Sequence, residues 1–150
     1  PLAGRERIEF VTYRAGRRVA AQGRILLHPD GELLTAADSG RDILLVDCAW
    51  RHLDRLLGVI EGEVVRRRLP ALRTAYPRAS KVFADPAVGL ASVEALYAAL
   101  AILGEPRAEL LDGYHWRAEF LALNPGLAVA AESGAGLGSQ PGCNSNGCAT

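Results

Sequence analysis

Asp47, Cys48 and Trp50 close an aliphatic run, Ile43-Leu44-Leu45-Val46, and set a carboxylate, a thiol and an indole within four residues. A short apolar run bounded by polar residues is the pattern of a buried parallel strand, and open α/β folds bind ligands beyond the carboxyl ends of such strands. Asp47 in that place could take a proton or attract a cation. Equally, an Asp at a strand–helix junction serves as a helix N-cap, and the residues alone leave both readings open. Trp50 is likewise either a packing residue or a flat wall for a base or a sulfonium, since a cation over an indole face gains about 0.5–2 kcal/mol. Gly89-Leu90-Ala91-Ser92 leads into a helix start, whose free N–H groups suit an anion such as a ligand carboxylate or simply form an ordinary cap.

Other chemistries find little support. The sequence holds no nucleophile elbow, no metalloprotease helix and no paired Cys-x-x-Cys, and its glycines do not make a phosphate-binding loop. His28, His52 and His115 are scattered. Cys48 is expected to be buried and reduced. Cys143 and Cys148 lie in a Gly/Ser/Asn stretch with no histidine nearby, short of the four ligands of structural zinc, so no metal is expected. The net charge is zero, which gives no global field of the kind that marks a nucleic-acid binder. Lys81 is nevertheless the only lysine among 17 basic residues. A GC-rich genome explains such a bias, and the cluster Arg66-Arg67-Arg68 adds a functional reading, because guanidinium forks suit phosphate.

The elements that must position these residues can be read from periodicity. A chain of 150 residues fits one domain and can bury a core without disulfides. No run approaches the roughly 20 apolar residues of a membrane span, and Pro1 to Arg7 has no apolar core of the signal-peptide kind, so a soluble cytoplasmic protein is expected. Residues 8–13 predict an opening strand and 24–27 a second one. His28-Pro29-Asp30-Gly31-Glu32 predicts a turn, 33–38 a short helix, and 43–47 the strand that ends at Asp47. Leu53, Leu56, Leu57 and Ile60 predict one helix face, ended by Gly62. Residues 68–72 hold a proline and predict an irregular or edge segment, and 74–89 a long ordered loop. Ser92 predicts an N-cap with Glu94 in the first turn, followed by a face of Val93, Leu96, Leu100 and Leu103 up to Gly104. Trp116, Phe120 and Leu123 predict the core face of a last helix ending at 124–126. The order is strands first, then helices: an α/β part over 1–73, a mainly helical part over 74–130 that completes the site, and a disordered 131–150.

Four blocks in this order resemble a known family, the ribosome-biogenesis aminocarboxypropyltransferases that modify small-subunit (18S/16S-type) ribosomal RNA. Leu27-His28-Pro29 with Leu34-Thr35-Ala36-Ala37-Asp38 is similar to its Leu-x-Pro and Leu-Ser-x-x-Asp signals. Val46-Asp47-Cys48-Ala49-Trp50 resembles its Asp-Cys-Ser-Trp motif. Arg68-Leu69-Pro70-Ala71-Leu72 and then Leu90-Ala91-Ser92-Val93-Glu94-Ala95-Leu96 resemble its Leu-Pro-x-Leu and Leu-Ser-x-x-Glu-Ala blocks. Tyr114-His115-Trp116-Arg117-Ala118-Glu119-Phe120, continuing to Asn124, resembles its Phe-x-Trp-Gly-x-x-Phe…Asn ending.

The resemblance implies a SPOUT-like α/β part with a deep trefoil knot and a helical C-terminal part. It implies S-adenosylmethionine as donor of a 3-amino-3-carboxypropyl group to the ring imide nitrogen of a (methyl)pseudouridine, with methylthioadenosine leaving. Leu27, Pro29, Trp50 and Leu90 would wall the adenosine and methylthio pocket. The backbone of Val46 would meet the ribose, that of Leu69 or Leu72 the adenine, and the Ala91–Ser92 helix start the amino acid carboxylate. Asp47 would sit beside sulfonium and acceptor as the catalytic residue, and Arg51, Arg66, Arg67 and Arg68 would face structured RNA. A monomer without membrane contact is expected. The departures are Ala49 for serine, Tyr76 for asparagine, Arg78 to Val88 in place of an Asn-Tyr-Gly loop, and Arg117 for glycine. The N-terminal Lys-Cys-Thr-Gly motif is missing, with Arg14-Ala15-Gly16 read as its remnant. The alternatives are a non-catalytic RNA-binding assembly factor and a SPOUT-class RNA methyltransferase.

Overall fold

The computed structural model describes residues 2, 4–77 and 89–127, with the backbone alone for Trp50. The expected tail at 131–150, the two tail cysteines and most of the expected loop (78–88) lie outside the described residues.

Among the described residues, five strands form two parallel sheets. β1 (Val19–Ala20) pairs with β4 (Ile60–Glu61), and β2 (Ile25–Leu33) runs between β3 (Ile43–Leu44) and β5 (Val65–Arg68). β2 is central because Ile25 and Leu26 are apolar on both sides of the pleat and are buried, the condition of a strand covered on both faces. Its start is fixed by Ile25 N–H donating to the Asp42 carbonyl and Val65 N–H donating to the Arg24 carbonyl.

Four expectations for this part are corrected. The strand expected over 43–47 is reduced to Ile43–Leu44 and is half-buried, so Asp47 lies three residues beyond its end. Residues 8–13 form no strand: the segment is mostly exposed and has no neighbouring ladder, without which the β preference of Phe10, Val11 and Tyr13 has nothing to act on. His28 to Glu32 does not reverse the chain. Those residues stay within β2 as an irregularity, with the pairing to β5 shifting register between Leu27 and Glu32. Gly31 is required there because a Cβ would come within 2.5 Å of the Arg67 backbone nitrogen. The helix after Trp50 is short: a 3-10 turn (Trp50–His52) leads into α1 (Leu53–Leu57), and Ile60 belongs to β4 rather than to the helix face.

The helical part is built around α2 (Ser92–Ile102). The helix ends as its sequence predicts. Gly104 has φ +81°, Gly104 N–H donates to the Ala101 carbonyl and Glu105 N–H to the Leu100 carbonyl, which is the Schellman closure. Its buried face differs from the expected one. Leu96 and Leu100 are only half-buried, whereas Val93, Glu94, Tyr97, Ala98, Ala99 and Ala101 are buried. The three alanines let α2 approach both of its neighbours closely. Val93, Tyr97, Ala98 and Ala101 pack with Leu111, Tyr114, Phe120 and Leu127, while Ala99 and Leu103 pack with Ile25 of β2 and with Leu34 just beyond its end. α2 thus packs on both clusters at once. α3 (Arg117–Leu123) supplies Phe120, fully buried and edge-on to Tyr97.

Candidate functional site

The backbone around α2 is organised by one carboxylate. Glu94 is completely buried, which is costly for an acid unless its lone pairs are met. They are met fourfold. Oε1 accepts the Ala75 N–H at 2.9 Å and the Tyr114 hydroxyl at 2.9 Å; Oε2 accepts the Ala91 N–H at 2.8 Å and the Thr74 hydroxyl at 2.6 Å. Burial, reinforced by this bond to Glu94, pushes the Tyr114 hydroxyl well above its usual value and keeps it a donor. Asn124, also buried, repeats the device. Its Oδ1 accepts the Arg73 N–H, and its Nδ2 donates to the Arg73 and Phe120 carbonyls. Arg73 to Ala75 is therefore held from two sides, and Ala91 is tied to the same carboxylate.

This arrangement fixes the surroundings of several expected site residues. Leu69, Leu72, Leu90 and Ala91 all pack, half-buried, against the Val93–Phe120 cluster, and Leu27 and Leu69 share the sheet cluster. Pro29 is exposed on β2. The N-cap of α2 is Ala91 rather than Ser92, which is the first helical residue. The Ala91 N–H is committed to Glu94, so any anion at this helix start must use the donors that follow it.

Asp47 has a different setting. Together with Val46 it lines a cleft of about 180 Å³, whose lining also includes Tyr13, Arg14 and Arg17 of the N-terminal segment and Leu56 of α1. The N-cap alternative fails, because α1 is preceded by His52 and the Trp50–His52 turn. The Asp47 carboxylate is exposed and, among the described residues, makes no side-chain hydrogen bond or ion pair. Cys48 beside it is a free, half-buried thiol. Burial, reinforced by the Asp47 charge, pushes that thiol up, away from the thiolate a nucleophile would need. The described residues contain no group of three or more His, Cys, Asp or Glu able to hold a metal ion.

The expected RNA-facing arginines divide. Arg66 and Arg68 are exposed on one side of β5, whereas Arg67, on the alternate side of the pleat, is half-buried. Its Nε lies 2.9 Å from both Asp38 oxygens and its Nη1 2.9 Å from Glu32 Oε2. Burial works against the Asp38 charge, but the Thr35 N–H and Arg67 outweigh it and hold that carboxyl below its usual value. Arg67 is thus a structural tie between β5, β2 and the 3-10 turn at Ala36–Asp38, contrary to the RNA-facing role expected of it. Arg51 is exposed, with Nε donating to His52 Nε2 at 3.1 Å.

Residues 25–131 match the model of the family described as "Ribosome biogenesis protein, C-terminal". The chain belongs to this family. It is 37% identical over 115 residues to the 16S rRNA aminocarboxypropyltransferase of Halobacterium salinarum, covering 75% of this chain and 65% of that protein. It is 36% identical over 110 residues to the protein of the same name from Vulcanisaeta distributa, covering 68% and 57%. Its fold is similar to the structure of the SAM-dependent rRNA:acp-transferase Tsr3 from Vulcanisaeta distributa, with a TM-score of 0.56 and 32% identity over 77% of this chain and 64% of that one. The chain therefore spans less than two thirds of the length of these relatives. The mixed α/β architecture is common to this chain and the solved family member.

Within the family region, the blocks read from sequence carry two kinds of residue. Leu69, Leu72, Leu90 and Ala91 share a core; Val46 and Asp47 open onto a cleft. The burial of Glu94 is not evident from sequence, although an acid three residues after the Ala91 cap is a usable signal. Nor does any local pattern show that Tyr13, Arg14 and Arg17 line the same cleft as Asp47.

Proposed function

We propose that this chain transfers the 3-amino-3-carboxypropyl group of S-adenosylmethionine to the imide nitrogen of a (methyl)pseudouridine in small-subunit ribosomal RNA. The observation that carries the reading is Asp47: an exposed carboxylate with no side-chain partner among the described residues, in the lining of a cleft, inside the block that resembles the family's Asp-Cys-Ser-Trp. By the resemblance, the half-buried Leu27, Leu69, Leu72 and Leu90 would wall the adenosine and the thioether. Pro29 and Trp50 would extend that wall, the Val46 backbone would hold the ribose, and the donors at Ser92 would take the carboxylate.

S-adenosylmethionine, when bound, supplies a sulfonium-activated carbon: the acceptor nitrogen bonds to it, the carbon–sulfur bond breaks, and methylthioadenosine leaves. Asp47 accepts the imide hydrogen bond and takes the proton as the new bond forms, then returns it to water. Arg51, Arg66 and Arg68 would meet the RNA backbone. This reading includes a SPOUT-like trefoil knot, division into parts at 1–73 and 74–130, a cytoplasmic location and a monomer. Among the described residues no helix is long and apolar enough to cross a membrane.

The test is transfer of label from S-adenosylmethionine carrying it in the carboxypropyl chain. Label is expected in RNA. Label arriving only from the methyl group would mean a methyltransferase, and failure to bind S-adenosylmethionine or methylthioadenosine by calorimetry would leave an RNA-binding assembly factor.

A further inference from the structure

We propose that the cleft between the N-terminal segment and Asp47 is the seat of the acceptor base, a pyrimidine turned out of its strand. The inference rests on the proposed transfer reaction and names where its second substrate binds. Size is the first argument. Pockets that enclose a whole drug-sized ligand run to about 300–1,000 Å³, and at about 180 Å³ this cleft suits one planar ring rather than an adenosyl amino acid.

Composition is the second argument. The lining combines aliphatic residues, among them Leu56 and Val59, with two acids, Glu9 and Asp47, and two bases, Arg14 and Arg17. A lining balanced in charge is a poor match for a polyphosphate. It matches an imide edge well, in which two carbonyl acceptors flank one N–H donor: guanidinium groups only donate, and a carboxylate only accepts. Neither Arg14 nor Arg17 has a side-chain hydrogen bond or ion pair among the described residues, in contrast to Arg18 next door, which is paired with Glu61 and the Gly58 carbonyl.

Preorganisation is the third argument. Tyr13 is fixed as part of the wall by Arg55, whose guanidinium lies 5.2 Å from the ring centroid and donates to the hydroxyl at 3.2 Å. Phe10, between the lining residues Glu9 and Val11, is 60% exposed, a surface on which a neighbouring base can stack. Enzymes that act on a base must first extract it, and they read its edge in such a pocket.

The experiment measures binding of a short oligouridylate, and of the same oligomer methylated at the imide nitrogen, alongside calorimetry with methylthioadenosine. Thr12→Trp narrows the cleft from an exposed position, and Arg14→Ala with Arg17→Ala removes the donors. Each is expected to weaken oligouridylate binding about tenfold and to leave methylthioadenosine affinity unchanged, and Thr12→Trp also to abolish the preference for the unmethylated oligomer. The proposal is overturned if the wild type ignores imide methylation or if the variants bind oligouridylate as the wild type does. It is also overturned if they lose affinity for S-adenosylmethionine while keeping RNA, which would assign the cleft to the amino acid end of the donor. A wild type that binds neither S-adenosylmethionine nor methylthioadenosine refutes the transfer reaction, while the oligouridylate arm still reads the cleft.

Discussion

Two carboxylates in this chain are opposites. Glu94 is fully buried and receives four hydrogen bonds from Thr74, Ala75, Ala91 and Tyr114, whereas Asp47 is exposed and receives none among the described residues. A buried acid is tolerated only when its lone pairs are fully used, so Glu94 has no capacity left for a ligand. Asp47 has all of its capacity left. The helical part thus spends its polar chemistry internally and becomes a rigid wall. The cleft keeps its polar chemistry available.

The largest effect separates these roles directly. Asp47→Asn should reduce carboxypropyl transfer by about 10²–10⁴-fold, the usual contribution of a positioned proton acceptor. Its denaturation midpoint should stay close to wild type, because an exposed side chain without partners contributes within about 0.5 kcal/mol. An equal loss of folding stability would mean that Asp47 acts as a structural residue after all.

Glu94 should behave the other way. Each of its oxygens takes one backbone N–H, which cannot rotate away, so an amide NH₂ placed at either position faces a fixed donor. Glu94→Gln is therefore not a conservative change. It should cost about 2–3 kcal/mol in urea unfolding, and Glu94→Ala about 3 kcal/mol or more, by stranding buried donors. Tyr114→Phe, which removes a single donor, should cost about 1 kcal/mol. Should Glu94→Gln prove as mild as Tyr114→Phe, the contrast between the two carboxylates collapses.

The same contrast explains what the sequence could and could not reveal. α2 was legible because Gly104 stops it and an acid sits in its first turn, both local signals. Its buried face was misjudged because Ala98, Ala99 and Ala101 pack on two neighbours at once, and a leucine count favours Leu96 and Leu100. The Val46–Asp47 block is marked in the sequence by its apolar run and its resemblance to a family motif, but the run forms only the short, half-buried strand Ile43–Leu44. Its partners in the cleft are not so marked, because Tyr13, Arg14 and Arg17 reach it only through the fold. The strand β5 was missed for the reason Arg67 was misassigned: a run of three arginines hides the alternation in which only the middle one turns inward.

A smaller effect follows from that middle residue and the buried acid it binds. Asp38 titrates lower in the folded chain than its ordinary value of 3.8. A depressed folded-state value means that the stabilisation is present above the unfolded value and is lost as pH falls through the folded one. Urea midpoints should therefore decline on acidification below about pH 4, and Asp38→Asn should flatten that part of the profile. A profile identical in the variant would remove Asp38 from the acid response and leave Arg67 without its assigned function.

The smallest effect divides the three neighbouring arginines. Arg66→Ala and Arg68→Ala remove exposed charges from one face of β5, so each should weaken RNA binding only a few-fold. Each should also reduce the salt dependence of binding by about 0.7–0.9 in a log–log plot, the release of one phosphate counterion. Arg67→Ala should leave that slope unchanged and instead lower the unfolding midpoint, because its guanidinium is already held by Asp38 and Glu32. Equal slopes for all three variants would mean that the tie to Asp38 opens when RNA binds. The division between committed and available charge, which separates Glu94 from Asp47, would then fail within a single strand.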